Sequence, residues 1–102
     1  MNTSQICSNA RAEIVRHGWA QKDQQPGYCI LQALYMVAPP TTEGFLAASQ
    51  AIKETLGVDK TFRLDHWNDA PERTKGEVLD VLQRTAIRLD ESHAALYRGV
   101  PV

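Results

Sequence analysis

The stretch His66-Trp67-Asn68-Asp69-Ala70-Pro71-Glu72-Arg73-Thr74-Lys75-Gly76-Glu77 decides how the rest of the chain is read. A polar turn feeds a capping box, in which the Thr74 hydroxyl accepts a free backbone N–H of a new helix while the Glu77 carboxylate accepts from the Thr74 N–H. Downstream, Val78, Leu82, Ala86 and Leu89 recur at helical spacing with Leu79 beside them, and Glu77, Asp80, Arg84 and Arg88 fall mostly elsewhere. The spacing predicts a helix over about 74–92 and makes a helical fold the starting expectation.

The turn itself supports two readings. In the structural one, the Asn68 and Asp69 side chains bond their own backbone, Pro71 fixes the next φ angle, and Arg73 pairs with Asp69 or Asp65. In the functional one, Trp67, Asn68, Asp69 and Arg73 form a binding pocket for a planar or phosphorylated ligand, with Arg73 and the N–H groups at the helix start holding the anion. The two combine into one expectation: Trp67 and Asp69 hold the turn, while Arg73 and Asn68 face solvent and contact an anionic ligand or partner.

Working back along the chain, Thr3 or Ser4 caps a helix to about His17, with Ile6, Ala10 and Ile14 on one side and Gly18 as its stop. If Gly18 is left-handed, Trp19 folds back against Ile14 as an apolar clip. Gln21 to Gly27 is an aperiodic polar loop ending in Pro-Gly. Tyr28 to Ala38 is apolar nearly all round and belongs in the middle of the domain, with Leu, Gln, Ala and Met favouring a helix there and a buried strand as the alternative for so short a run. Pro39-Pro40 ends it, Thr41 or Thr42 caps the next helix, and Phe45, Leu46, Ala48, Ser49, Ile52 and Leu56 give it an apolar stripe closed by Gly57. Val58 to Asp65 alternates weakly and reads as a linker, with at most one extended strand that has nothing to pair with.

The 102 residues, 43% hydrophobic, suit one ordinary core, and a net charge of −1 supplies no field toward nucleic acid or an anionic membrane. Lys53, Lys60, Arg63, Arg73 and Lys75 are interleaved with Asp and Glu, which argues against a nucleic-acid groove. Only six of the 23 charged residues lie before residue 51, so the first half is the expected source of core or partner surface, including a homo-oligomer interface. Met1-Asn2-Thr3-Ser4-Gln5 has no signal-peptide pattern, and the apolar run from Tyr28 to Pro40 is too short to span a bilayer. These features predict a cytoplasmic protein with Cys7 and Cys29 reduced.

For catalysis, the sharpest constellation is Cys29 in the first turn of a helix, where the dipole favours a thiolate, with His66 and Asn68 or Asp65 completing a hydrolase or transferase set. Against it stand the apolar neighbours of Cys29, which suit a buried inert thiol, and the lack of nearby glycines for an oxyanion site. His17, His66 and His93 are scattered without metal-ligand spacing, and no glycine-rich phosphate loop occurs, so neither metal nor cofactor is expected.

Trp67-Asn68-Asp69-Ala70-Pro71, Arg73-Thr74 and Glu77-Val78-Leu79, with Gly18-Trp19 and Tyr28-Cys29-Ile30-Leu31 more loosely, resemble the pattern of a small uncharacterised family of actinobacteria and their phages, a domain of unknown function. The resemblance implies a provenance and no activity. The sequence therefore predicts an all-α, compact single-domain bundle of about four helices, 4–17, 28–38, 42–56 and 74–92, within a domain of residues 1–102 frayed from about 97. Its expected function is to bind a small anionic ligand or a protein partner, with a cysteine enzyme or a structural oligomer as the alternatives.

Overall fold

The computed structural model describes residues 1–22 and 26–98. Among these residues there are five helices: α1 (Thr3–His17), α2 (Ile30–Val37), α3 (Glu43–Leu56), α4 (Leu64–Asp69) and α5 (Lys75–Arg98). Among the described residues the only β pairing is an isolated parallel bridge between Trp19 and Tyr28, so the fold is all-α, a compact helical bundle. Four helices match the four predicted, and α4 is the addition. It occupies the end of the supposed linker and the start of the supposed turn. Of the tail expected to fray, residues 97 and 98 still belong to α5, whereas 99–102 lie outside the described residues, as does the His93 side chain.

α1 is the centre of the bundle, packing on α5, α2 and α3. Its first turn is closed by Asn2, whose Oδ1 accepts from Gln5 N at 2.8 Å while Gln5 Oε1 accepts from Asn2 N at 2.9 Å. The expected cap at Thr3 or Ser4 is thus displaced by one or two residues. Ser4 is buried instead, and its hydroxyl donates to the Ala86 carbonyl at 3.2 Å, tying α1 to α5.

Ile6, Cys7, Ala10 and Ile14 of α1 meet Val78, Val81, Leu82 and Ala86 of α5, with Ile30, Ala33 and Leu34 of α2 and Ala48 and Ile52 of α3 completing the core. Burying each large aliphatic side chain stabilises by about 1.5–3 kcal/mol. Behind this core, Thr85 is fully buried, and its hydroxyl lies 2.7 Å from the Val81 carbonyl and 2.8 Å from Thr55 Oγ1. Arg88 donates through Nη2 to the Ala51 carbonyl at 2.9 Å, so α5 and α3 are joined by polar as well as apolar contacts.

α2 is not central. Its N-terminal half is buried at Ile30, Ala33 and Leu34, but Tyr35 is 41% exposed and Met36 58%. Leu46 of the predicted α3 stripe is 60% exposed as well. α3 otherwise follows its signals: Thr42 Oγ1 accepts from Phe45 N at 3.3 Å, and Gly57 ends the helix in the left-handed region at φ 74°.

Both cysteines are free thiols. Burial pushes the Cys7 thiol up to about 11, against which the charge of Arg88 acts weakly. The folded protein therefore keeps a proton that the unfolded chain releases above about pH 8.5, so stability should fall as pH rises from there towards 11. The expected loss is roughly 1–3 kcal/mol, read by denaturant unfolding at stepped pH. Cys7→Ala should flatten that alkaline slope, and an unchanged slope in the variant would contradict burial as its cause.

Candidate functional site

The sequence-marked residues converge on α4, a helix of six residues held by one apolar anchor. Leu64 and Asn68, four residues apart, share its inward face and are both buried, which leaves Asp65, His66 and Asp69 nearer solvent. The fully buried Asn68 carboxamide meets four partners. Its Oδ1 accepts from the Trp19 indole Nε1 at 2.8 Å and from Ile30 N at 3.0 Å. Its Nδ2 donates to the Ala20 carbonyl and to Asp69 Oδ1, each at 3.0 Å.

Asn68 therefore joins three pieces of chain: α4, the segment after α1, and the start of α2. Ile30 N belongs to the first turn of α2, where N–H groups have no partner within the helix, so Asn68 caps α2 from outside. Around it, Gln21 Nε2 donates to the Asn68 and Ala70 carbonyls at 3.1 and 2.7 Å, and Lys22 N donates to Asp69 Oδ1 at 2.7 Å. The segment that departs at Gly18 returns at Tyr28, whose N donates to the Gly18 carbonyl at 2.9 Å and whose carbonyl accepts from Ala20 N at 3.1 Å. Gly18 has φ 94° and ψ 164°, outside the left-handed helical conformation on which the expected helix ending depended; Trp19 packs against the core cluster that includes Ile14, and its indole N–H donates to Asn68.

Two of the four proposed binding residues differ in placement from expectation. Asn68, expected at the surface, is buried because its carboxamide pairs with two backbone groups, Ile30 N and the Ala20 carbonyl, and with the Trp19 indole and the Asp69 carboxylate. The Arg73 side chain is only 15% exposed. Its guanidinium lies 4.2 Å from the centre of the Trp67 ring, its Nε donates to the Trp67 carbonyl at 2.9 Å, and its Nη1 pairs with Glu77 at 2.7 Å. The expected partners are taken elsewhere, Asp65 by Arg63 at 2.6 Å and Asp69 by Lys22 N and Asn68. The hydrogen bonds from Arg63 hold the Asp65 carboxyl below the usual carboxylate range.

The capping box follows the sequence, since Glu77 N donates to Thr74 Oγ1 at 3.2 Å and Thr74 N to Glu77 Oε1 at 3.1 Å. Desolvation draws the Glu77 carboxyl up, but hydrogen bonds from Thr74 and Arg73 outweigh it and leave it below its ordinary value. Thr74→Ala should cost about 1 kcal/mol with the fold intact, measured by urea unfolding. An unchanged midpoint would mean that the cap contributes nothing.

Cys29 is the N-cap of α2 rather than a residue of its first turn, and it is half-buried rather than enclosed. Its Sγ accepts from Gln32 N at 3.4 Å and Gln32 Oε1 accepts from Cys29 N at 3.0 Å, a capping box with sulfur in the place of a hydroxyl. His66 is exposed on α4, and no hydrogen bond joins it to Cys29. Among the described residues no group of three or more His, Cys, Asp and Glu is placed to hold a metal ion, and no helix is long and apolar enough to cross a membrane.

A groove of about 370 Å³ opens on another face, between α2, α3 and the segment leading into α4. Leu31, Tyr35, Phe45, Leu46 and Phe62 give it apolar walls, and Lys53, Arg63 and Asp65 are its charged residues. The Tyr35 and Phe45 rings touch, with centroids 5.0 Å apart. Trp67, Asn68, Asp69 and Arg73 do not line it. Sequence reading put Leu31, Tyr35, Phe45 and Leu46 on apolar helices in the half of the chain expected to supply core or partner surface, and Phe62 in a linker. The signal it passed over is the adjacent pair Phe45-Leu46, which makes the α3 stripe wider than one buried face requires.

A family model described as "Family of unknown function (DUF6197)" matches residues 1–88. The chain belongs to this family. No curated protein and no solved structure matches it. The DUF6197 match takes in α1 to α4 and α5 as far as Arg88, so Asn68 with all its partners and the whole α2–α3 groove lie inside the family domain.

Proposed function

We propose that the protein is a small cytoplasmic binding protein that acts by occupying a protein partner through the α2–α3 groove. The observation that carries this reading is the exposed apolar surface there. Residues 24–52 hold a single charged residue, Glu43, and of the groove's lining residues in that stretch Tyr35 and Leu46 are 41% and 60% exposed. Contiguous apolar surface of this kind is characteristic of interaction sites. An accessory role in an actinobacterium or its phage rests on the motif resemblance alone.

The proposal moves the site away from Trp67–Arg73, because the polar groups of Asn68 and Arg73 are already engaged within the chain. It also favours binding over a cysteine enzyme, since the Cys29 sulfur serves as a cap and His66 is not bonded to it.

The test places a photo-crosslinking amino acid at Leu46 or, as control, at exposed Gln83 on α5, with the protein expressed in its own host. The expected result is a discrete protein adduct from position 46 and none from 83, with Leu46→Gln leaving the melting temperature unchanged or raised. No discrete adduct, or the same adducts from both positions, would refute the groove as a binding surface.

A further inference from the structure

Resting on the groove reading above, we infer that the occupant is a short amphipathic helix of a partner protein, with acidic side chains at the end that lies over Lys53 and Arg63. The shape comes first. One wall is α3 from Phe45 to Lys53, nine residues whose successive rises span about 12 Å of helix. The facing wall is Leu31 and Tyr35, one turn apart on α2. Two such walls, with Phe62 and Leu64 also lining the groove, take the apolar stripe of a helix of two to three turns, anchored through positions i, i+4 and i+7.

The charge is distributed along the groove rather than around it. Tyr35, Phe45 and Leu46 form an uncharged end, and the ionisable lining residues are Lys53, Arg63 and Asp65. Asp65 is committed to Arg63 through two hydrogen bonds, of 3.1 and 2.6 Å, so these two largely cancel. Lys53 is then the unmatched charge of the lining. Its Nζ is steadied by the Lys60 carbonyl at 2.9 Å and keeps two further N–H donors. Asp59, outside the lining, offsets Lys53 only weakly: it feels the Lys53 charge as the least of the influences on its carboxyl, and its Oδ1 is turned to Thr61, accepting from Thr61 N at 2.9 Å and from the Thr61 hydroxyl. The groove thus has one neutral apolar end and one cationic end, and an occupant of matching charge is acidic at the second.

The experiment is a display selection on the intact protein from a library of helical peptides of about three turns, with fixed apolar anchors and randomised charged positions. The expected result is enrichment of Asp and Glu at one terminus, with amide shift changes at Leu31, Tyr35, Phe45 and Leu46. A charge-reversed peptide should bind about tenfold more weakly, and Lys53→Glu should invert that order. Enriched peptides in the groove without acidic bias, or an order unaffected by Lys53→Glu, would overturn the charge inference and leave the groove reading standing. No enrichment, or shift changes confined to another face, would overturn both. A wild-type dimer in light scattering that Leu46→Lys dissolves would give the groove to a second copy and overturn the inference.

Discussion

Replacing Asn68 with alanine is expected to destabilise the protein by about 3–5 kcal/mol, enough to leave a domain of this size largely unfolded at physiological temperature. The size follows from what the substitution strands. The Trp19 indole N–H, the Ile30 N–H and the Ala20 carbonyl each lose a partner at 2.8–3.0 Å, in a place where the Asn68 side chain is fully buried. Each buried polar group left unsatisfied costs about 1–3 kcal/mol. Asn68→Asp separates the two halves of the carboxamide. It keeps the acceptor for Trp19 and Ile30 but replaces the donor to Ala20 with a second oxygen, facing the Asp69 carboxylate as well. The aspartate variant should therefore be strongly destabilised at neutral pH and partly restored in mild acid, where a protonated carboxyl donates again. Circular dichroism melts between pH 4 and 8 read this directly, and a Tm independent of both substitutions would show that the bonds carry no weight.

The second large effect is expected at Gly27. Its φ of 128° lies where only glycine is comfortable, and a Cβ built there would sit 3.0 Å from the Trp19 carbonyl carbon and 3.1 Å from Gly18 C and O. These neighbours are backbone, pinned by the Tyr28–Gly18 and Ala20–Tyr28 hydrogen bonds, so they have little room to yield. Gly27→Ala should cost about 2–4 kcal/mol, a drop of roughly 10–25 °C in Tm for a domain near this size. Gly57→Ala is the control. Gly57 is also at positive φ, 74°, but nothing lies within 4 Å of its added Cβ, so only the conformational penalty of about 1 kcal/mol applies. Equal losses at the two positions would mean that the close approach of the two backbones around Trp19 contributes nothing.

These two positions also show where sequence reading stops. α5 and α3 were legible because their signals are local: Thr74 and Glu77 cap each other across three residues, and Thr42 and Gly57 bracket the α3 stripe. α1 was legible to within a residue or two, since Asn2, Thr3 and Ser4 all make good caps and the choice falls to the residue with Gln5 three positions on. α4 was not legible, because six residues are fewer than two helical turns and leave no period to detect. The role of Asn68 was hidden for a different reason. Its partners Ile30, Ala20 and Trp19 are 38, 48 and 49 residues away, so nothing local distinguishes a turn-forming Asn from one that caps a distant helix. The same applies to the groove, since an apolar residue pattern does not say which side of α2 the other helices leave open.

The Trp67–Arg73 stretch acts as the joint of the fold, and the charge-poor α2–α3 face is the surface proposed for binding. The joint is tested most directly by native-state hydrogen exchange of the Trp19 indole N–H and the Ile30 amide, the two donors that meet Asn68. If Asn68 holds the bundle, both should exchange only as fast as the α1 and α5 core amides, at the free energy of global unfolding. Exchange at loop-like rates while the α1 and α5 amides stay protected would contradict that claim.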